Sequence, residues 1–532
     1  MTGGAVEWGT QVGRSDGPIP FWQYSPRRRH IAEFLLDLER WRDRIHLIQG
    51  SRRLTFGDLS VASDRVGHQL AANGLAPGDR LLLLAPNSPE WVTGFWAGIR
   101  AGAIVTLGNG WWSRHEVEHA VRLVRPSLVI ADQRRRELLP AGISDRQIID
   151  VETVRRWGET PFPATPPPAS GDENDPAVII FTAGTTGDPK AAVLAHRSVI
   201  ANLHSLLLVS GRLPQQLNPE KPAAVILQSG PMFHIGGLQA LLLASLCGHT
   251  VVFLEGRFDP GQVLDLVERE RVTVWGAVPT MASRVLEHPS LPHRDLSSVR
   301  SISLGGAAVQ PELTARLRLA FPNAGRGLST IYGMTETGGT VASASGALMA
   351  EHPRTSGKPT PVTDLRIDSP QAEGVGEILV RTPGQMLGYW DQPQADIIDG
   401  EGWVHTGDLG RIDDGLLYVT GRSKDIIIRG GENIASAHVE SALLRHPDIR
   451  NAAVVARPDA DLGERVAAAV ELDPASTVSA AELADFTGTQ LPRNEVPSDW
   501  WLLKEQLPMT EAGKIDKRKL SASWPTNGDS QD

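Results

Sequence analysis

The sequence predicts an α/β protein: a large N-terminal domain of doubly wound sheets, then a small α+β C-terminal domain. Short apolar runs alternate with amphipathic stretches from residue 53 to about residue 320. From about residue 360 that alternation gives way to short β segments, and from Gly430 a separate pattern of helices and strands begins. At 532 residues the chain is too long for one ordinary core.

Residues 1–50 carry little signal; Arg27-Arg28-Arg29-His30 reads as a solvated turn before a helix over 31–43. An amphipathic helix is expected over 59–73, then a βαβ unit from strand 80–85, helix 89–100 and strand 103–107. Residues 127–130 make another short strand, and 158–176, rich in Pro, Thr, Ser and acids, a loop. The apolar run Ala177-Val178-Ile179-Ile180 is a buried strand. It leads into Phe181-Thr182-Ala183-Gly184-Thr185-Thr186-Gly187-Asp188-Pro189-Lys190. Glycines let backbone N–H groups approach a ligand, threonines add hydroxyl donors and Lys190 adds charge, which suits a polyphosphate. It is not a Walker A loop, because Gly187 is followed by Asp-Pro-Lys. The rival reading is an ordinary strand-to-helix connection.

The alternation then resumes with helix 197–208, strand 223–228, helix 238–246, strand 250–254, helix 260–270, strand 272–275, helix 279–287, strand 299–304 and helix 311–320. The phosphate-type loop, the His234 segment and the Gly305 segment all fall at predicted strand ends, where such sheets bind ligands. Short β segments follow at 364–367, 377–381, 403–406 and 416–420. The last part reads as helix 435–445, strands 452–456 and 465–471, helix 480–491 and a polar tail over 521–532.

Composition is that of a soluble globular protein, 41% hydrophobic and 21% charged. A net charge of −10 argues against a nucleic-acid partner. The single cysteine, Cys247, excludes an internal disulfide framework and sits in an apolar run that makes it an inert buried thiol. Residues 1–14 lack a signal-peptide core, and no run approaches the roughly 20 apolar residues of a membrane span. A cytoplasmic enzyme is expected; a homodimer is left open.

The 181–190 loop resembles the phosphate loop of the adenylate-forming superfamily of acyl-CoA synthetases, peptide-synthetase adenylation domains and luciferases. Four more segments resemble that family in its order: Tyr332-Gly333-Met334-Thr335-Glu336, Thr406-Gly407-Asp408, Gly421-Arg422-Ser423-Lys424-Asp425 and Gly513-Lys514-Ile515-Asp516-Lys517. On these the chain is identified as a member of the AMP-dependent acyl-CoA synthetase family. The resemblance implies a small barrel-like β region and a mobile C-terminal lid. The domains would be 1–422 and 423–532, hinged near Lys424.

It also implies ATP, Mg²⁺ and CoA as ligands. Thr182, Thr185, Thr186, Gly187 and Lys190 would hold the triphosphate, with Ala183 where the family usually has Ser. Glu336 would coordinate Mg²⁺. Thr335 would lie near the α-phosphate. Tyr332 and Gly333, beside Gly305-Gly306-Ala307, would take the adenine. Asp408 would accept from the ribose hydroxyls, and Arg422 would hold ribose or phosphate. Lys514 would reach the α-phosphate and carboxylate, and with Thr186, Glu336 and His234 it makes the expected catalytic set. Gly430 and Gly431 would line the pantetheine path, although Ala435-Ser436 stand where many relatives have Tyr-Pro. Blander readings stand beside these: a core aromatic for Tyr332, a satisfied core histidine for His234, a turn for Thr406-Gly407-Asp408, solvated lysines at 424 and 514. Trp111 and Trp112 read equally as pocket wall or core edge.

The segment Ile235-Gly236-Gly237-Leu238-Gln239 carries no charge, which disfavours an α-amino acid and favours an apolar carboxylate: medium-chain, branched or aryl. The expected function is therefore acyl-AMP formation with pyrophosphate release, then transfer to CoA. Alternatives are another acceptor (carrier protein, amine, or nitrite in a diazotising pathway), a luciferase-like oxygenase, or a catalytically silent nucleotide- or acyl-binding protein.

Overall fold

The structure is a computed structural model that describes residues 7–161, 171–182, 189–307, 309–370, 374–391, 397–429, 432–459, 461–510 and 513–525. Among the described residues two large sheets dominate. One has seven strands, in the order Gly388–Tyr389, Lys190–Ala195, Pro176–Thr182, Ile104–Leu107, Arg80–Leu84, Leu128–Ala131, Ile148–Asp150. The other has nine, in the order Lys358–Pro359, Gly339–Ser345, Leu328–Met334, Ser301–Gly305, Val274–Ala277, Val225–Gln228, Thr250–Phe253, Ile45–Gln49, Arg52–Thr55. Their central strands are parallel and covered on both faces, so they read as continuous apolar runs. Leu81 to Leu84 illustrate this, each with no exposed surface.

Local signals set the flanking helices. Thr55 caps helix Phe56–Ala72, accepting from the Asp58 N–H while the Asp58 carboxylate returns to the Thr55 backbone. Ser88 caps helix Pro89–Arg100, which starts with a proline whose missing N–H is no loss there.

Three segments differ from their sequence reading. Within Arg27-Arg28-Arg29-His30, expected to be a solvated turn, Arg28 and His30 are buried, Arg28 in an ion pair with Asp37. The helix expected over 31–43 is a short 3₁₀ turn, Ile31–Glu33, then helix Phe34–Glu39. Tertiary contacts take over the rest: Trp41 is buried with its indole N–H on the Leu246 carbonyl, and Arg44 donates to the Gly248 carbonyl. The 181–190 loop joins two antiparallel strands, with Thr182 paired to Lys190, and helix His196–Val209 follows only after the second strand. It is a strand-to-strand connection, not a strand-to-helix one.

The small barrel expected after residue 360 takes the form of an open four-stranded antiparallel sheet: Asp364–Asp368, Gly376–Arg381, Val404–Asp413, Leu416–Arg422. Beyond it, Glu432–Ala435, Ile426–Arg429, Gly463–Leu472 and Ile449–Asp459 form a separate sheet, with Asp499–Leu503 parallel to Gly463–Leu472. The apolar clusters follow the same division. Those built on Ile427, Val454 and Leu483 and on Trp501 and Trp524 contain no described residue from before position 423.

Cys247 is buried, and desolvation pushes its thiol up to about 11, so it is inert. Burial also holds His46 neutral, lowering its pKa to about 4. The unfolded chain takes up that proton first, near pH 6.5. The stability is therefore present above that pH and is lost as pH falls towards 4, by about 3 kcal/mol at most. In thermal melts from pH 7 to pH 4, His46→Asn, which cannot charge, is expected to decline less steeply than the parent protein.

Candidate active site

One continuous cleft runs from the ends of both large sheets to the C-terminal sheet. From the seven-stranded sheet come Thr182 and Lys190, at the ends of the paired strands that flank the loop. From the nine-stranded sheet, strand Leu328–Met334 enters a single turn, Thr335–Thr337, and returns antiparallel as Gly339–Ser345. The Thr337 hydroxyl oxygen accepts from the Met334 N–H and closes the turn. A side chain on Gly333 would collide with the Gly339 carbonyl, so the close strand pair needs glycine there. The turn brings Tyr332, Gly333, Thr335 and Glu336 to the cleft. Glu336 is nearly buried, and its Oε1 accepts from the Tyr389 hydroxyl at 2.8 Å.

Asp408 lies on strand Val404–Asp413, directly opposite Arg422 on the neighbouring strand. Arg422 Nε donates to Asp408 Oδ1 at 2.8 Å, and the Tyr332 hydroxyl donates to Asp408 Oδ2 at 2.8 Å. Desolvation, reinforced by Asp408, holds the Tyr332 phenol protonated well above its ordinary range, so it remains a donor.

Lys514 arrives from the C-terminal sheet. Its N–H donates to Thr510 Oγ1 and its carbonyl accepts from the Thr510 N–H. The Thr280 hydroxyl grips the Gly513 carbonyl from the other side of the cleft. Gly306 has φ +78°, and a Cβ there would lie 3.3 Å from Lys514 Cε. Lys514 thus reaches the Gly305-Gly306-Ala307 backbone at the end of strand Ser301–Gly305. Its surface is exposed, but it opens into the cleft, with protein around it at longer range. Desolvation, then Arg422, lowers its pKa, while Asp408 opposes the shift.

His234 sits just before helix Ile235–Leu246, half-buried, its Nε2 enclosed with no hydrogen-bond partner among the described residues. Desolvation, then the charge of Lys514, brings its pKa to about 4, so the ring is neutral at pH 7. Behind it the lining is mostly apolar, with Ile235, Leu243 and Ala244; Gln239, whose amide nitrogen is taken by Asn202 Oδ1 and Thr340 Oγ1, Arg212 and His249 also reach the cleft.

Residues 35–390 match the family described as AMP-binding enzyme, and residues 438–514 match its C-terminal domain. The chain belongs to the AMP-binding enzyme family. Its relatives place it among the adenylate-forming acyl-CoA synthetases. It is 34% identical over 480 residues to a feruloyl-CoA synthase of an Amycolatopsis species, covering 88% of this chain and 94% of that one. A long-chain-fatty-acid–CoA ligase of Bacillus subtilis (strain 168) is 30% identical over 516 residues, with 88% and 90% covered. Among solved structures, o-succinylbenzoate CoA synthetase from Bacillus subtilis, in complex with its acyl-adenylate intermediate, superposes with a TM-score of 0.77. It is 30% identical, over 92% of this chain and 97% of that one.

In this AMP-binding enzyme the cleft gathers Thr182, Lys190, His234, Gly305, Gly306, Ala307, Tyr332, Gly333, Thr335, Glu336, Asp408, Arg422 and Lys514. Thr185, Thr186, Gly187, Gly430 and Gly431 lie outside the described residues. The two tryptophans part company. Trp112 is buried edge-on to Phe181 at 4.8 Å and lines the cleft, whereas Trp111 lies between the Arg135 and Arg257 guanidinium groups. Sequence reasoning missed Tyr389 and Thr280. The first stands in Gly-Tyr-Trp, outside every string singled out; the second is a lone hydroxyl with no motif.

Proposed function

We propose that the enzyme joins an apolar carboxylic acid (medium-chain, branched or aryl) to the α-phosphate of ATP, releases pyrophosphate, and passes the acyl group to CoA. The observation that carries this reading is the meeting of Lys514 with Glu336, Asp408 and Tyr332 in one cleft whose lining beyond His234 is mostly apolar.

Each residue has a physical task in this reading. Lys190 and the Thr182 hydroxyl offset phosphate charge. The Tyr332 ring offers a face to adenine, and Asp408, its orientation held by Arg422, accepts from the ribose. Glu336 is a hard-oxygen donor that forms no ion pair among the described residues, a fit for Mg²⁺, which one carboxylate plus substrate phosphates usually hold. When bound, that cation would supply positive charge to the phosphates. The Lys514 ammonium would bring the two reacting anions together and donate to the charge that builds between them. Neutral His234 would wall the carboxylate from the acyl chain without adding charge. Residues 423–532 would then turn about Lys424 and present the Gly430-Gly431 segment to the pantetheine arm. By their names, one relative makes a feruloyl thioester and another a long-chain fatty-acyl thioester of CoA. No helix of the described residues is long and apolar enough to cross a membrane; we propose a cytoplasmic location.

The test is pyrophosphate release from ATP and Mg²⁺ across fatty, branched, aryl and amino acids, with and without CoA. An apolar acid should turn over and give AMP and an acyl-CoA by mass. Pyrophosphate without thioester would refute CoA as acceptor, and no release with any acid would refute the adenylation itself.

A further inference from the structure

Tyr389 joins the two halves of the site. It lies in the two-residue strand Gly388–Tyr389, paired antiparallel to Ala192 and Val193 at the edge of the seven-stranded sheet. The Leu387 N–H donates to the Val193 carbonyl and the Trp390 N–H to the Ala191 carbonyl, so the backbone is fixed on both sides. From this anchored position the hydroxyl donates to Glu336 Oε1, on a turn of the other large sheet, at 2.8 Å. On the ring face, Lys190 Nζ sits 5.0 Å from the centroid.

This arrangement solves a problem of opposite charges. A lysine and a glutamate that both serve a polyphosphate and its cation would neutralise each other if they met. Here the ring holds the ammonium by its π face, and the hydroxyl holds the carboxylate by one oxygen. A neutral donor fixes the rotamer of Glu336 without cancelling its charge.

We propose that Tyr389 is a positioning residue for the adenylation step: its hydroxyl aims the Glu336 carboxylate at the divalent cation that accompanies ATP, and its ring seats the Lys190 ammonium apart from that carboxylate. The proposal rests on the reading of Glu336 given above.

Tyr389→Phe keeps the ring and removes the hydroxyl; Tyr389→Leu removes both. Calorimetry would measure binding of a non-hydrolysable ATP analogue without divalent cation and over a Mg²⁺ series, beside the Mg²⁺ dependence of AMP formation. Tyr389→Phe should bind the metal-free analogue within about twofold of the parent, but need about 5- to 20-fold more Mg²⁺ for half-maximal binding and turnover, in line with a lost hydrogen bond to a charged group. Its kcat at saturating Mg²⁺ and its Tm should barely move. Tyr389→Leu should also weaken metal-free binding, because Lys190 loses its seat. An unchanged Mg²⁺ dependence in Tyr389→Phe would overturn the proposal. So would an equal loss with and without Mg²⁺ accompanied by a lowered Tm, which marks a merely structural role. Glu336→Gln runs in parallel: if it keeps the parent's Mg²⁺ dependence, the assignment of Glu336 itself fails, whatever Tyr389 does.

Discussion

Lys514→Ala is expected to release pyrophosphate about 10²- to 10³-fold more slowly than the parent enzyme, while forming thioester from supplied acyl-adenylate at a near-normal rate. Removing one preorganised donor from a developing negative charge typically has an effect of this size. The selectivity follows from position: Lys514 reaches the Gly306 backbone through a loop held by Thr510 and by the Thr280 hydroxyl. That seat belongs to the first half-reaction alone if residues 423–532 turn before the second. The lysine also leaves a pH signature. Because desolvation and Arg422 lower its pKa, the ammonium is lost at a pH below the 10.5 of an ordinary lysine. The alkaline limb of adenylation should therefore fall below that value and vanish from the residual activity of Lys514→Ala. Equal losses in both half-reactions would remove Lys514 from the adenylation step.

Asp408→Ala should raise the KM for ATP about 10- to 100-fold, the range expected when a buried charged acceptor is lost. The carboxylate is shared: Tyr332 and Arg422 each occupy one of its oxygens. Truncation removes the proposed ribose acceptor and leaves the Tyr332 hydroxyl without its partner. Tyr332→Phe alone should cost less. The double variant should fall short of the product of the two effects, because both act through the same carboxylate. Strict multiplicativity, measured in initial rates at varied ATP, would show that the two residues do not work as a unit.

Much of this site could be read from motif strings, because those at 181–190, 332–336 and 421–425 fall where a strand ends, while Thr406-Gly407-Asp408 lies within strand Val404–Asp413 and 513–517 outside any strand. What the strings do not contain is the set of contacts between them. Asp408 and Arg422 are fourteen positions apart and become partners only through the register of two antiparallel strands, a pairing that reading the β segments as a hairpin would have found. Tyr389 and Glu336 come from different sheets, and nothing in Gly388-Tyr389-Trp390 announces an acceptor 53 residues upstream. The strand Lys190–Ala195 was illegible for another reason. Lys-Ala-Ala-Val-Leu-Ala is buried almost throughout, so it lacks the alternation that marks a half-exposed strand. The helix expected over 31–43 shows the converse, a helical pattern cut short by what Trp41 and Arg44 reach for.

The separate apolar clusters on either side of residue 423 have an energetic consequence. Across that divide the chain meets itself through modest contacts, such as the Thr280 hydroxyl on Gly513, the Ser441 hydroxyl on Gln310, and Val278 and Met281 against the Gly513 backbone. A hydrogen bond of this kind contributes only about 0.5–1.5 kcal/mol net. If residues 423–532 turn as proposed, contacts this modest would leave the orientation that seats Lys514 a shallow minimum, and a ligand with a tenfold preference for one orientation, about 1.4 kcal/mol, would redistribute the population substantially. Which half-reaction the protein is poised for would then be decided by what occupies the cleft, in the manner of a balance with a light beam.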